Sequence, residues 1–168
     1  WSRKRNRSAH RKYREPKKHF GEMVQMDGST HRWFSKRKRD YCLLDMVDDA
    51  TGKTFARFDD EETTEVAMRS LWRWIDLYGI PLSVYVDGKN VYVPDRVFEE
   101  EQKLQGKEVL THFGKACKAL GIKIIHAHSP QAKGRVERKN GVHQDRLVKE
   151  LRLQEINDSD KANHFLEA

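Results

Sequence analysis

Two short apolar runs in this chain, MVQM ending before Asp27 and SVYV ending before Asp87, each hand over to an Asp-Gly pair, and a third acid, Glu137, stands on a long basic helix. That helix lies in the stretch from His126 to Leu151, HAHSPQAKGRVERKNGVHQDRLVKEL, where Ser129 suits an N-cap and Pro130 the first helical position, its missing N–H not being needed there. Val136, His143, Leu147 and Leu151 recur at helical spacing and predict the buried stripe. Glu137, about 100° round from Val136, falls at the edge of that stripe. Singly, each acid has a plain reading: Glu137 pairs with Lys133 on a solvated face, and Asp27 and Asp87 sit in turns, since Asp-Gly is a strong hairpin signal. Together they place three carboxylates on two strand ends and one helix.

Carboxylates that converge repel one another unless a cation lies between them. Mg²⁺ takes oxygen ligands, keeps several waters and is commonly held by a few carboxylates plus substrate phosphate. The pattern therefore predicts a hard divalent site that works on phosphate.

The HSPQAKGRVER run, and the QMDGS segment with His31-Arg32-Trp33-Phe34, resemble bacterial insertion-sequence transposases of the ISNCY group, within the superfamily of DDE transposases and retroviral integrases. The resemblance runs from about His19 to Leu153. It implies an α/β, ribonuclease-H-like catalytic core with a mixed five-stranded sheet whose first and fourth strands are neighbours. It makes Asp27, Asp87 and Glu137 the catalytic triad and the ligands of Mg²⁺ or Mn²⁺, expected as two ions with Asp27 bridging them. It further implies water-driven release of a 3′-hydroxyl at a transposable element's ends, attack of that hydroxyl on target DNA, and a homo-oligomer on the DNA. A nuclease of the same fold without strand transfer, or a fragment that only binds DNA or assembles, would use overlapping features.

Charge is unevenly spread. The net charge is +7, yet residues 1–18 hold nine Lys or Arg, among them Arg3, Lys4 and Arg5, against the single acid Glu15, so the remainder is close to neutral. Such a segment cannot bury a core, and each phosphate it neutralises would release counterions. It reads either as a DNA-contacting linker or as a solubilising tail. With 37% hydrophobic residues the rest has room for one core, predicted over 19–155, while 156–168 opens a further segment with a cap at Asn157-Asp158-Ser159-Asp160. No apolar run is long enough to span a membrane, and two distant cysteines, Cys42 and Cys117, fit small core residues in a reducing bacterial cytoplasm, near the nucleoid.

In order, the predicted elements are a strand from Glu22 to Asp27, strands Tyr41–Val47 and Lys53–Phe58 joined by a turn-rich hairpin that also carries Asp45, Asp48 and Asp49, and a helix with Ala67, Leu71, Trp74, Ile75 and Tyr78 inward. Met68 and Trp72 widen that stripe, and Gly79 and Pro81 end it. A strand then delivers Asp87. Residues 88–107 form either a lid or a subunit contact. Thr111 caps a helix with Phe113, Ala116, Cys117 and Leu120 inward, and Ile122–Ala127 is the last strand. Three antiparallel strands, then helix, strand, helix, strand, helix, is the resulting order.

Candidate DNA contacts are Lys133, Arg135, Arg138, Lys139, Asn140 and Gln144 on the accessible sides of the last helix, with Lys36 and Arg37 at an exposed turn. His126 and His128 point the same way and invite a zinc reading, but oxygen donors dominate. His128 is expected instead to donate to the scissile phosphate or to Glu137. Gly141 in mid-helix predicts close packing or a kink.

Overall fold

The computed structural model describes residues 15–89, 91–94, 109–127 and 134–167, with backbone only at 134 and 135. Its elements are β1 (Val24–His31), β2 (Tyr41–Asp48), β3 (Thr54–Asp59), α1 (Thr64–Tyr78), β4 (Ser83–Val86), α2 (His112–Ala119), β5 (Lys123–His126), α3 (Gly134–Leu153) and α4 (Ser159–Glu167). The strands form one sheet in the order β3-β2-β1-β4-β5, so the first and fourth strands are neighbours, as expected. β1, β2 and β3 are antiparallel; β4 and β5 run parallel to β1.

The alternation of side chains along each strand sorts the core into two layers. Val24, Met26, Leu44, Met46, Val84 and Val86 face α1 and α2, where Ala67, Leu71, Trp74, Phe113 and Cys117 complete the packing. The opposite face carries Leu43 and Tyr41, and Leu147, Leu151 and Ala162 of α3 and α4 close over it with Trp33, Phe34 and Phe58. Both cysteines are buried and unpaired with each other.

Local chemistry sets the helix limits. The Thr63 hydroxyl accepts the Val66 N–H at 3.3 Å and starts α1, and Gly79, at φ 87°, ends it with its N–H on the Ile75 carbonyl. A positive φ there suits glycine alone. The Thr111 hydroxyl likewise accepts the Gly114 N–H at 3.0 Å and starts α2. Residues from 156, expected to begin a further segment, form α4, which packs along β3 with the Asn163 amide bonded to both the N–H and the carbonyl of Phe58.

Several expectations need correction. β1 does not stop at Asp27 but runs four residues further, so Asp27 lies inside a strand and Gly28 is no turn residue. Asp45 belongs to the β2–β3 hairpin as expected, opposite Ala56, but it sits in the middle of β2, fully buried and directly across from Asp27 as well. Met68 and Trp72 do not widen the buried stripe of α1: Trp72 is 66% exposed, because the sheet is wide enough to cover only one side of the helix. Leu120 is exposed rather than inward, since α2 ends at Ala119. Gly141 has open space where a Cβ would stand, so close packing is not its reason. The Ser129-Pro130 corner, most of 88–107 and the basic tail lie outside the described residues.

Candidate active site

β1 and β4 pair in parallel with Val24 beside Val84 and Gln25 beside Tyr85. The same offset carried on sets Asp87, the residue after β4, level with Asp27, and neighbouring strands lie about 4.8 Å apart. Asp27 faces α3, and Asp87 stands just past the end of β4. Sheet pairing alone therefore brings together two acids far apart in sequence.

α3 is docked on β1 by a polar ladder. The Val136 N–H donates to Gln25 Oε1 (3.2 Å), the Asn140 amide to Asp27 Oδ2 (2.9 Å) and the Gln144 amide to Ser29 Oγ (2.9 Å). The rungs advance four residues on the helix for every two on the strand. Those steps are about 6.0 Å and 6.6 Å, so a helix parallel to a strand can repeat the match without strain. Gln25 is fixed in turn, its amide donating to Asp49 Oδ1 at 2.7 Å.

The ladder sets where Glu137 lies. Successive residues turn by about 100°, so His143 and Gln144 flank the docked line on opposite sides. His143 reaches β2, with Nδ1 at 2.9 Å from Asp45 Oδ2. Gln144 reaches β1. Glu137, seven residues before Gln144, starts within about 20° of it around the helix, on the flank away from β2. Glu137 is exposed there and one turn before Asn140. Among the described residues no group of three or more His, Cys, Asp and Glu side chains is gathered closely enough to hold a metal.

Other groups, unremarked in the sequence, line the same strand end. Glu62, just before the Thr63 cap, folds its carboxylate against Gly28, where an added Cβ would meet Glu62 Oε2 at 2.1 Å. The missing side chain at Gly28 makes that room, and this is the reason for a glycine after Asp27. Glu62 Oε1 accepts from the Tyr92 hydroxyl at 2.9 Å, and Glu62 Oε2 pairs with the Lys89 ammonium. Lys89 Nζ also lies 3.7 Å from Asp87 Oδ2, and its backbone N–H donates to Asp87 Oδ1 at 3.1 Å. Burial works to lower the Lys89 pKa, but the hydrogen bond and charge of Glu62, with Asp87 and Asp27 behind it, outweigh burial and raise it. Burial, then Glu62, pushes the Cys42 thiol up to about 12. Asp45 is raised by burial, against the His143 hydrogen bond, which pulls it down. Glu62, three residues past β3, carries no periodic signal; as the last of four acids before α1 it reads only as helix N-terminal charge.

The donors here are carboxylate oxygens, and one ammonium already stands among them. Among the described residues, Asp45 Oδ1 and Asn140 Oδ1, beside Asp27, are buried acceptors with no hydrogen-bond donor. Both observations fit a site made for a hard cation.

Of the expected DNA contacts, Arg138 is exposed and Lys139 half-buried, whereas Asn140 is buried with its amide committed to Asp27, contrary to the accessible position expected of it. Gln144 is exposed but bonded to Ser29. The Lys36 N–H and the Arg37 guanidinium hold Asn157, before α4. Arg3, Lys4, Arg5, His128, Lys133 and the Arg135 side chain lie outside the described residues.

Two relatives carry the comparison with known proteins. The chain is 42% identical over 166 residues to the putative transposase y4bF of Sinorhizobium fredii, covering 98% of this chain and 35% of that protein. It is 38% identical over 154 residues to the transposase for insertion sequence IS1202 of Streptococcus pneumoniae, covering 91% of this chain and 32% of that protein. Over nearly its whole length the chain is similar to insertion-sequence transposases. It spans about a third of the length of the curated relatives it matches. No family model matches it. In fold, the chain superposes on the HTLV-2 integrase catalytic core domain in complex with magnesium with a TM-score of 0.60 at 23% identity, over 88% of this chain and 83% of that one. The five-stranded sheet and its helices are thus ribonuclease-H-like. No described helix is long and apolar enough to cross a membrane.

Proposed function

We propose that this chain is the catalytic core of a DNA transposase, with Asp27, Asp87 and Glu137 as its metal-binding acids, acting first in hydrolysis at a transposable element's ends and then in joining the 3′-hydroxyl to target DNA. The observation that carries the reading is the shared level of Asp27 and Asp87 on adjacent parallel strands, with α3, the helix that carries Glu137, docked on β1 through the Asn140–Asp27 hydrogen bond. Mg²⁺ or Mn²⁺, two ions by analogy with other phosphoryl-transfer sites, would supply Lewis-acid stabilisation of the attacking and leaving oxygens.

The chain's own part is to hold and orient. Asn140 fixes the rotation of the Asp27 carboxylate, and the Lys89 N–H fixes that of Asp87. Glu137 can join them by side-chain rotation on a helix whose position the three-rung ladder sets. The nearby thiol of Cys42 is buried and raised to about 12, so it is no nucleophile at neutral pH. Water and the DNA 3′-hydroxyl are the nucleophiles in this reading, and no covalent protein intermediate is needed. Exposed Arg138, half-buried Lys139, the turn at Lys36 and Arg37 and the basic residues of 1–18 would contact phosphates, positioning DNA without reading its sequence. Oligomeric assembly on paired ends belongs to the same proposal.

The test is a joining assay with labelled duplexes carrying the element's own ends, plasmid target and Mg²⁺ or Mn²⁺. Joined product, lost in Asp27→Asn while DNA binding persists, supports the reading. Nicking without joining leaves the nuclease alternative, and binding without either leaves a DNA-binding fragment.

A further inference from the structure

Lys89 is built into the acid site from several directions at once. Its backbone N–H and its ammonium address the two oxygens of Asp87, and the ammonium also pairs with Glu62. Glu62 is in turn held: its side chain is 8% exposed, Oε1 takes the Tyr92 hydroxyl at 2.9 Å, and Oε2 lies where a Cβ at residue 28 would stand. Tyr92 is itself anchored, edge-on to Phe113 of α2 with ring centres 5.2 Å apart. A surface ion pair needs no such support, and long exposed side chains seldom hold one geometry. Here a glycine, a buried carboxylate and a buried phenol together fix where one ammonium sits, and that place is beside Asp87.

We propose that Lys89 is the resident counter-cation of the acid site, seated by Glu62, and that a divalent cation binding at Asp87 must displace it, so that the Glu62–Lys89 pair sets how readily the site fills. The inference rests on the reading of Asp27 and Asp87 as metal ligands. Without metal, Lys89 offsets the repulsion among Glu62, Asp87 and Asp27. On metal entry the ammonium leaves Asp87 and stays on Glu62, which keeps the lysine in place while freeing the ligand. Lys89 and Glu62 are positioning residues in this scheme, not ligands.

The test is thermal melting of the protein across a MnCl₂ series, which reads metal occupancy without DNA or catalysis. Lys89→Met should melt lower than wild type without metal and reach half of its Mn²⁺-induced shift at roughly tenfold lower Mn²⁺, because the ion no longer has to break an ion pair about 4 Å long at Asp87. Glu62→Gln should move the midpoint the other way, because Lys89 then leans on Asp87 alone. Lys89→Gln is read in the same way should the methionine variant melt without a cooperative transition. Asp87→Asn should abolish the shift. A Mn²⁺ response in wild type that Asp87→Asn removes, but with the same midpoint in Lys89→Met, overturns the role of Lys89 and leaves the metal site standing. No Mn²⁺ response in wild type or in Lys89→Met overturns both.

Discussion

Asn140 on α3 and Asp27 on β1 are joined by one hydrogen bond, the Asn140 amide donating to Asp27 Oδ2 at 2.9 Å. The bond ties the helix that carries Glu137 to the strand that carries the first acid, so the spacing of the proposed triad depends on a residue outside it. Asn140→Ala is expected to cost about 1 kcal/mol of stability and about 10- to 100-fold in DNA joining, the usual toll of losing a group that orients a metal ligand. Asn140→Asp, which sets a like charge against Asp27, is expected to lose more activity than Asn140→Ala. Urea melts and the joining assay measure the two effects separately.

Gly28 makes room for Glu62. Gly28→Ala is expected to destabilise by about 1–3 kcal/mol through overpacking, because the new methyl falls on Glu62 Oε2. In a Glu62→Ala background the same substitution should cost much less, and this failure of additivity is the signature of direct contact. Equal costs in both backgrounds would remove Glu62 as the reason for the glycine.

Asp45 gives a pH dependence of known sign. Burial raises its folded pKa above the unfolded value of about 3.9. Stability from this group is therefore fully present below the unfolded pKa and is lost as pH rises through the folded one. Asp45→Asn removes that titration and keeps a partner for His143. The stability of Asp45→Asn relative to wild type should grow as pH rises through the folded pKa, read from urea melts at a series of pH values. A flat or falling difference would show that the His143 hydrogen bond and charge outweigh burial.

The two tryptophans of α1 should behave oppositely. Trp74 is fully buried beside Phe20 and Tyr78, and Trp74→Ala is expected to cost about 3–5 kcal/mol. Trp72→Ala, on the open side of the helix, should stay within about 0.5 kcal/mol.

These contrasts mark what the sequence could and could not convey. Val136, Leu147 and Leu151 announced the docked face of α3 by their period, and the apolar run into Asp87 announced β4, because both patterns come from one face meeting a core. Trp72 fitted the same helical period as Trp74, yet period alone does not say how wide a stripe the sheet covers. Asp27 stands out in the sequence as a candidate site residue but reads as a strand end, since Asp-Gly looks the same in a turn as in a strand whose glycine yields space to a distant carboxylate. Glu62, Lys89 and Asp45 were illegible as site neighbours: their roles come from strand pairing and from the reach of long side chains, which leave no trace in local spacing. Asn140 reads in the sequence as an accessible polar residue, and only its burial and its bond to Asp27 in the fold show that it faces inward.

The central claim is that Asp27, Asp87 and Glu137 together hold divalent cations. Crystals of the protein soaked in MnCl₂ and measured for anomalous scattering address it directly. The account expects Mn²⁺ density between Asp27 and Asp87, with Glu137 rotated in to complete the coordination and Lys89 withdrawn from Asp87. Density elsewhere, or none, with Glu137 still turned to solvent while Lys89 keeps its contact with Asp87, would contradict it.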